Sequence, residues 1–367
     1  MSRETLLFAL IGVTGVTLAL SGVLTALARR VALRIGFVDR PGGHKSHQAP
    51  MPYGGGCAIL VAAWLVIAAV MVLVACAPTA WVAGTFDETA RAYLGGLRER
   101  TQQMLVILAG GLVLHVVGLR DDRRALGPWV KLAAIAAVGL LVAGVGRVRI
   151  GEFAGLPLSI LLTMAWFVVI VNAFNFLDNM DGLSAGVACI GLAFLAVCGL
   201  MAGQVFVPAL ACVFLGAVGG FLIFNFPPAR IFMGDAGSLV VGYMLATVSV
   251  LTTYYKSGTD TPPYALAMPL VILAVPLYDF VSVVVIRLVE GRNPMRGDQR
   301  HFSHRLVERG LSRRFAILTI YLAAATTGLA ATLLPGADLA RTITIGVMVL
   351  MVLAIIAILE APLRKTP

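Results

Sequence analysis

Charge is what this chain has least of. Asp, Glu, Lys and Arg make up 13% of its 367 residues, about half the share of a soluble domain. Too few polar residues remain to cover a water-facing core, which excludes the soluble, disordered and fibrous classes. Cysteine is sparse and unpaired in pattern. Cys57, Cys76, Cys189, Cys198 and Cys212 lie in or beside apolar runs without a C-x-x-C pair. They read as small buried hydrophobes, not redox or metal groups. No basic-aromatic nucleic-acid module occurs, so nucleic acid is not an expected partner. The N-terminal run Thr5–Ala28 is expected to be a first membrane span and not a cleavable leader, because it is too long and its basic pair, Arg29 and Arg30, follows it.

What remains is apolar: 59% of the residues are hydrophobic, with mean hydropathy +0.94. Windows of about 20 apolar residues recur. They lie near 5–28, 54–77, 102–119, 129–146, 158–177, 183–201, 205–224, 238–255, 266–289, 315–334 and 342–360. The expected fold is an all-α polytopic membrane protein of about 11 transmembrane helices, forming one domain over 1–367. One set of alternate breaks carries 20 of the 28 Lys and Arg residues. The positive-inside rule makes that side cytoplasmic, with the N-terminus outside and the C-terminus inside. Seven of the eleven aspartates also fall there. The active site is therefore expected on the cytoplasmic face.

Five polar stretches on that side carry the chemistry. Asp121-Asp122 ends one span, amid Arg120, Arg123 and Arg124. Adjacent carboxylates repel unless a cation offsets them, and Mg²⁺ favours one or two carboxylates plus phosphate. Asn172, Asn175 and Asp178 are spaced by three along one helix face, with Asp181-Gly182-Leu183 beyond. Gly234-Asp235-Ala236-Gly237-Ser238 follows Asn225 and a proline pair, and a helix start beside an aspartate suits phosphate with Mg²⁺. His301, His304 and Arg305 sit in an arginine-rich loop, and Asp39 to His47 forms a basic, glycine-rich one. Taken singly, each has a plainer reading: a solvated turn, amide-mediated helix packing, a capped turn or a lipid anchor. Inside the spans, Asp279 and Arg287 read as an ion pair or site support, and His115 as a packed, hydrogen-bonded side chain.

Together the five stretches resemble the polyprenyl-phosphate N-acetylhexosamine-1-phosphate transferases, over roughly Asp39 to Gly310. That family's pattern has a D-x-P-x-x-R-K-x-H loop, a D-D pair, N-x-x-N-x-x-D-x-x-D-G-L, G-D-x-G-S and H-x-H-H. Three positions depart from it: His44 for arginine, Asn179 for glycine and Ser303 for the middle histidine. The resemblance implies transfer of a sugar 1-phosphate from a UDP-N-acetylhexosamine to a polyprenyl phosphate, releasing UMP. It also implies Mg²⁺, with Mn²⁺ as an alternative, held by Asp235 with Asp122. Asp121, Asp122 and Asp178 carry over as catalytic carboxylates. Asp181, Gly182, Leu183, Asn225 and Phe232 carry over as the uracil pocket. Lys45, His47, His301, His304 and Arg305 would hold phosphate, and Asn172 and Asn175 complete the substrate contacts.

Within the family, the odd span count and the incomplete histidine cluster fit the undecaprenyl-phosphate GlcNAc-1-phosphate branch, which initiates surface glycans. The alternative is the phospho-MurNAc-pentapeptide translocase of peptidoglycan synthesis. A transporter is the alternative of another class, but transporters place polar sites near the midplane. The arginine excess fits a bacterial inner-membrane enzyme better than a dolichol-linked one. Membrane lipids are expected partners, and a homodimer stays open.

Overall fold

The computed structural model describes residues 3–39, 50–76, 88–252, 267–293 and 300–361. In chain order the elements are α1 (Arg3–Ile35), β1 (Val38–Asp39), β2 (Met51–Pro52), α2 (Gly55–Cys76), α3 (Glu88–Glu99), α4 (Thr101–Arg123), α5 (Pro128–Gly144) and α6 (Leu156–Leu177). Then follow α7 (Leu183–Met201), α8 (Phe206–Asn225), α9 (Asp235–Leu251), α10 (Met268–Ile272), α11 (Ala274–Val289), α12 (Phe302–Glu308), α13 (Arg313–Ala331) and α14 (Leu339–Glu360). Among the described residues, eight helices are long and apolar enough to cross a membrane: α1, α2, α4, α6, α7, α8, α13 and α14. Two shorter apolar helices, α5 and α9, stand among them. The protein is a polytopic helical membrane protein.

Helix α9 is the hub. Every residue from Ala236 to Ser249 is buried, with α2, α4, α6, α7 and α8 packed around it. Small residues permit the close approach expected where lipid gives no hydrophobic drive between helices. A Cβ at Gly242 would stand 2.7 Å from the Val171 backbone of α6. Polar side chains join the helices as well. Tyr243 donates to the Ile107 carbonyl at 2.8 Å and Trp166 to Ser249 Oγ at 2.9 Å. On the far side, α1 lies on α8, where Ser21 donates to the Ala217 carbonyl. Outward faces of α1 and α14 are lined by exposed leucine, valine and isoleucine, as lipid-facing surfaces require.

Three features differ from the sequence expectation. The run 266–289 is two helices, because Pro276 has no N–H to offer the Ile272 carbonyl and crowds it; α10 ends there. The arginine-rich loop contains helix α12. A two-residue antiparallel pairing, Val38 with Pro52 and Asp39 with Met51, interrupts the all-helical pattern. It continues into α9's approach, since Phe232 N–H donates to the Pro52 carbonyl and Gly55 and Gly56 N–H to the carbonyls of Phe232 and Met233.

Candidate active site

Residues from all the described polar breaks meet at one end of the bundle. Around a cavity of about 320 Å³ lie Asp39, Tyr53, Asp122, Asp178 to Asp181, Asn225, Phe232 to Asp235, His304 and Arg313. The lining combines five segments far apart in sequence and gathers Asp39, Asp122, Asp178, Asp181 and Asp235.

The centre is the start of α9. Asp122, at the end of α4, caps that helix from outside: its two oxygens accept Asp235 N–H at 2.7 Å and Ala236 N–H at 3.1 Å. First-turn N–H groups have no partner within their own helix, so this contact satisfies two of them. Glycines allow the approach. A Cβ at Gly118 would fall 2.4 Å from the Asp235 carbonyl oxygen, and one at Gly56 2.3 Å from Gly237 N.

Lys131 of α5 binds two carboxylates at once, Asp235 at 2.7 Å and Asp121 at 3.2 Å. Asp121 also accepts Leu126 N–H at 2.6 Å. Asn175 donates to Asp235 at 3.1 Å and to Ser238 at 2.9 Å. Asp178 has no hydrogen-bond or cationic partner among the described residues, yet faces the charges of Asp235, Asp122 and Asp181. Burial, then these like charges, push its carboxyl up to about 8. Asp235 is raised as well, chiefly by burial, despite Lys131. Burial lowers His304, aided by His301 and Arg313.

This donor set fits a hard divalent cation. Lys131 alone cannot offset Asp121, Asp122, Asp178 and Asp235, and Asp178 presents an unpartnered carboxylate. Among the described residues no cluster of three His, Cys, Asp or Glu forms a ready cage. Mg²⁺ takes one or two carboxylates and fills its shell with water and phosphate.

A separate wall surrounds the loop after α6. Asp181 accepts Ala229 N–H at 3.0 Å. Asn225 accepts Gly182 N–H at 2.8 Å and donates to the Ile231 carbonyl at 2.9 Å. Gly182 sits at φ +74, which a side chain would strain, and its carbonyl accepts the Tyr321 hydroxyl at 2.5 Å. Asp181 and Phe232 line the cavity that this wall bounds.

The expected residues divide. Asp122, Asp178, Asp181, Asn225, Phe232, Asp235 and His304 line the cavity; Asp121 and Asn175 reach it through Lys131 and Asp235. Gly182 contributes backbone, and Leu183 is fully buried. Asn172 lies deeper, its amide donating to the Val168 carbonyl of its own helix at 2.7 Å. His301 is not turned to the cavity: it is buried against Asp279 at 2.9 Å, edge-on to Phe176. Arg305, one helical turn on, binds Ser282 at 3.1 Å and Glu360 at 3.1 Å. The helical start of α12 explains both corrections, since it stacks these two side chains toward α11. Asp279 also accepts Phe302 N–H at 3.1 Å, while Arg287 lies over the Phe176 ring. His115 bonds the Ala236 carbonyl at 3.0 Å, a packed role as expected. Lys45 and His47 lie outside the described residues. Sequence reasoning left out Lys131, Tyr53 and Arg313 as site residues. For Lys131 a signal existed: a lysine within an apolar run demands a partner.

The fold and site define a polytopic membrane protein with an acid-rich cavity at one end of its helical bundle. Comparison with known proteins carries this further. Residues 104–253 match glycosyl transferase family 4. The chain is 32% identical to the probable undecaprenyl-phosphate N-acetylglucosaminyl 1-phosphate transferase of Bacillus subtilis (strain 168), over 91% of this chain and 87% of the relative. It is 33% identical to the decaprenyl-phosphate N-acetylglucosaminephosphotransferase of Mycolicibacterium smegmatis, over 86% and 79%. It is 27% identical to the undecaprenyl-phosphate alpha-N-acetylglucosaminyl 1-phosphate transferase of Escherichia coli (strain K12), over 81% and 76%. With such coverage, the chain belongs to glycosyl transferase family 4.

Proposed function

We propose that the protein transfers N-acetylglucosamine 1-phosphate from UDP-N-acetylglucosamine to undecaprenyl phosphate. The products are undecaprenyl-diphospho-N-acetylglucosamine and UMP, and the step opens a surface-glycan pathway. The observation that carries the reading is Asp121, Asp122, Asp178 and Asp235 gathered with Lys131 at the foot of apolar helices. The names of the relatives support the sugar and the lipid. They favour this branch over the phospho-MurNAc-pentapeptide translocase. The basic excess of this end supports a cytoplasmic face in a bacterial inner membrane, with eleven spans over a single domain of 1–367.

In the reaction an oxygen of the lipid phosphate forms a bond to the sugar-linked phosphorus. The bond from that phosphorus to the UMP oxygen breaks, and UMP leaves with the electron pair. Both reactants are anions, so the barrier is largely electrostatic. Mg²⁺, held by Asp235 with Asp178 and Asp122 nearby, would neutralise diphosphate charge. Lys131 holds Asp121 and Asp235 in place and adds positive charge. His304 and Arg313 at the rim suit phosphate, and Phe232 with Asp181 and Asn225 suits uracil. Asp121 can take a proton from a monoprotonated lipid phosphate. Its second pKa is about 6, so little base catalysis is needed at neutral pH.

The test is a lipid-transfer assay with the purified protein in detergent, undecaprenyl phosphate and labelled UDP-N-acetylglucosamine, with Mg²⁺ or chelator. Labelled lipid and UMP that need the metal and vanish in Asp235→Asn are expected. Folded protein inactive with this donor, but active with UDP-MurNAc-pentapeptide, would overturn the choice of sugar.

A further inference from the structure

At the opposite end of the bundle is a second cavity, of about 780 Å³. It lies between the starts of α4 and α8 and the ends of α5 and α9. Helix α4 separates it from Asp122 by roughly 30 Å at 1.5 Å per residue, so it is no part of the catalytic cavity. Its lining holds three arginines, Arg100, Arg147 and Arg149, against Glu99 and Glu152.

Two of the arginines are engaged. Arg149 pairs with Glu152 at 2.9 Å, and Arg100 lies over the Phe206 ring at 4.8 Å. Arg147 has no ion pair or hydrogen bond among the described residues. It is also the one described non-glycine residue with positive φ, at 51°. An arginine held in a conformation that suits glycine, with its charge unspent at a cavity mouth, points to use. The cavity wall supplies acceptors too. Gln103 donates its amide to the Gly146 carbonyl at 3.0 Å, but its carbonyl oxygen and that of Gln204 are buried without a partner. Buried acceptors of this kind call for a donor.

We propose that this cavity binds an anionic phosphoester bearing free hydroxyls, with Arg147 on the phosphate and the carbonyls of Gln103 and Gln204 on the hydroxyls. That chemistry is shared by a phosphoglycerol lipid headgroup and a soluble polyol phosphate. Guanidinium matches phosphate, and hydroxyl donors match the two orphan oxygens. The apolar helix ends around the mouth admit a lipid-borne headgroup as well as a free one.

The experiment uses the full chain in nanodiscs of phosphatidylcholine doped with phosphatidylglycerol, with retained lipid counted by native mass spectrometry. A second arm titrates glycerol 1-phosphate in pure phosphatidylcholine discs. Arg147→Gly removes the charge and suits the local backbone, so it should unfold at no lower temperature than the parent. Gln204→Leu removes one acceptor. Selective retention of phosphatidylglycerol, reduced by about tenfold in Arg147→Gly, assigns the lipid source. Saturable glycerol 1-phosphate binding, lost in the same variant, assigns the soluble one. Equal behaviour of the parent and both variants, or no preference for phosphoglycerol in either arm, overturns the proposal.

Discussion

The Ser303 hydroxyl donates to the Asn179 side-chain oxygen at 2.6 Å. These are two of the three positions where the sequence departs from the family pattern, and they meet. The bond joins the acid-bearing loop after α6 to helix α12, which carries His304. Asn179 is anchored in turn by its own donation to the Phe176 carbonyl at 2.7 Å. Ser303→Ala should weaken kcat/KM by about fivefold, the scale of one hydrogen bond near 1 kcal/mol. Asn179→Ala should cost a similar amount, and the double variant little more than either alone. A double-mutant cycle on transfer rates checks the coupling; additive losses would break the link.

Lys131 holds Asp121 and Asp235 together. Lys131→Met should lower kcat by about 10²-fold or more, the usual scale for removing one electrostatic contact at a reacting phosphate. Lys131→Arg should not restore it, because a planar fork cannot replace a compact ammonium between two carboxylates. Steady-state transfer kinetics separate these outcomes.

Removing charge from Asp235 should have opposite effects on activity and stability. Asp235→Asn should abolish metal-dependent transfer. Without metal, however, the variant should unfold at the same temperature as the parent or a higher one, since a carboxylate raised by burial opposes folding when ionised. Thermal unfolding in chelator reads this directly.

Divalent cations should stabilise the protein more at high pH. Asp178, pushed up to about 8, binds its proton more tightly folded than unfolded. Metal-free stability therefore falls as pH rises from about 4 toward 8. Over the same range protons stop competing with the cation. The Mg²⁺-induced shift in unfolding temperature should be larger at pH 8.5 than at pH 6, and a pH-independent shift would count against the carboxylate site.

Gly118→Ala should damage catalysis without touching an acid. The added carbon would stand 2.4 Å from the Asp235 carbonyl, so α4 and α9 must part and the Asp122 cap must loosen. Overpacking of this kind costs about 1–3 kcal/mol. Activity should fall further than Ser303→Ala takes it, with reduced unfolding temperature.

How much of this was legible in the sequence follows from physical range. Apolar runs are local, so helices near each of them were visible, and so was the grouping of acidic breaks. The break at Leu273 was readable in Pro276 and was missed because the apolar run continues through it. Orientation of side chains was not legible. His301 and His304 look equivalent in the sequence, yet the helical start of α12 and the buried Asp279 take one and leave the other. Lys131 needed the fold, because its partner Asp235 lies 104 residues away.

The cap that Asp122 places on α9 also has a consequence for biosynthesis. Its two halves are separated by 113 residues, and His304 arrives later still. During synthesis the early helices enter the membrane with their aspartates but without the partner surfaces that arrange them. A chain interrupted before α12 lacks His304 and Arg313, which line the cavity. Transfer competence is therefore a late event, and the onset of activity marks completed assembly of the bundle.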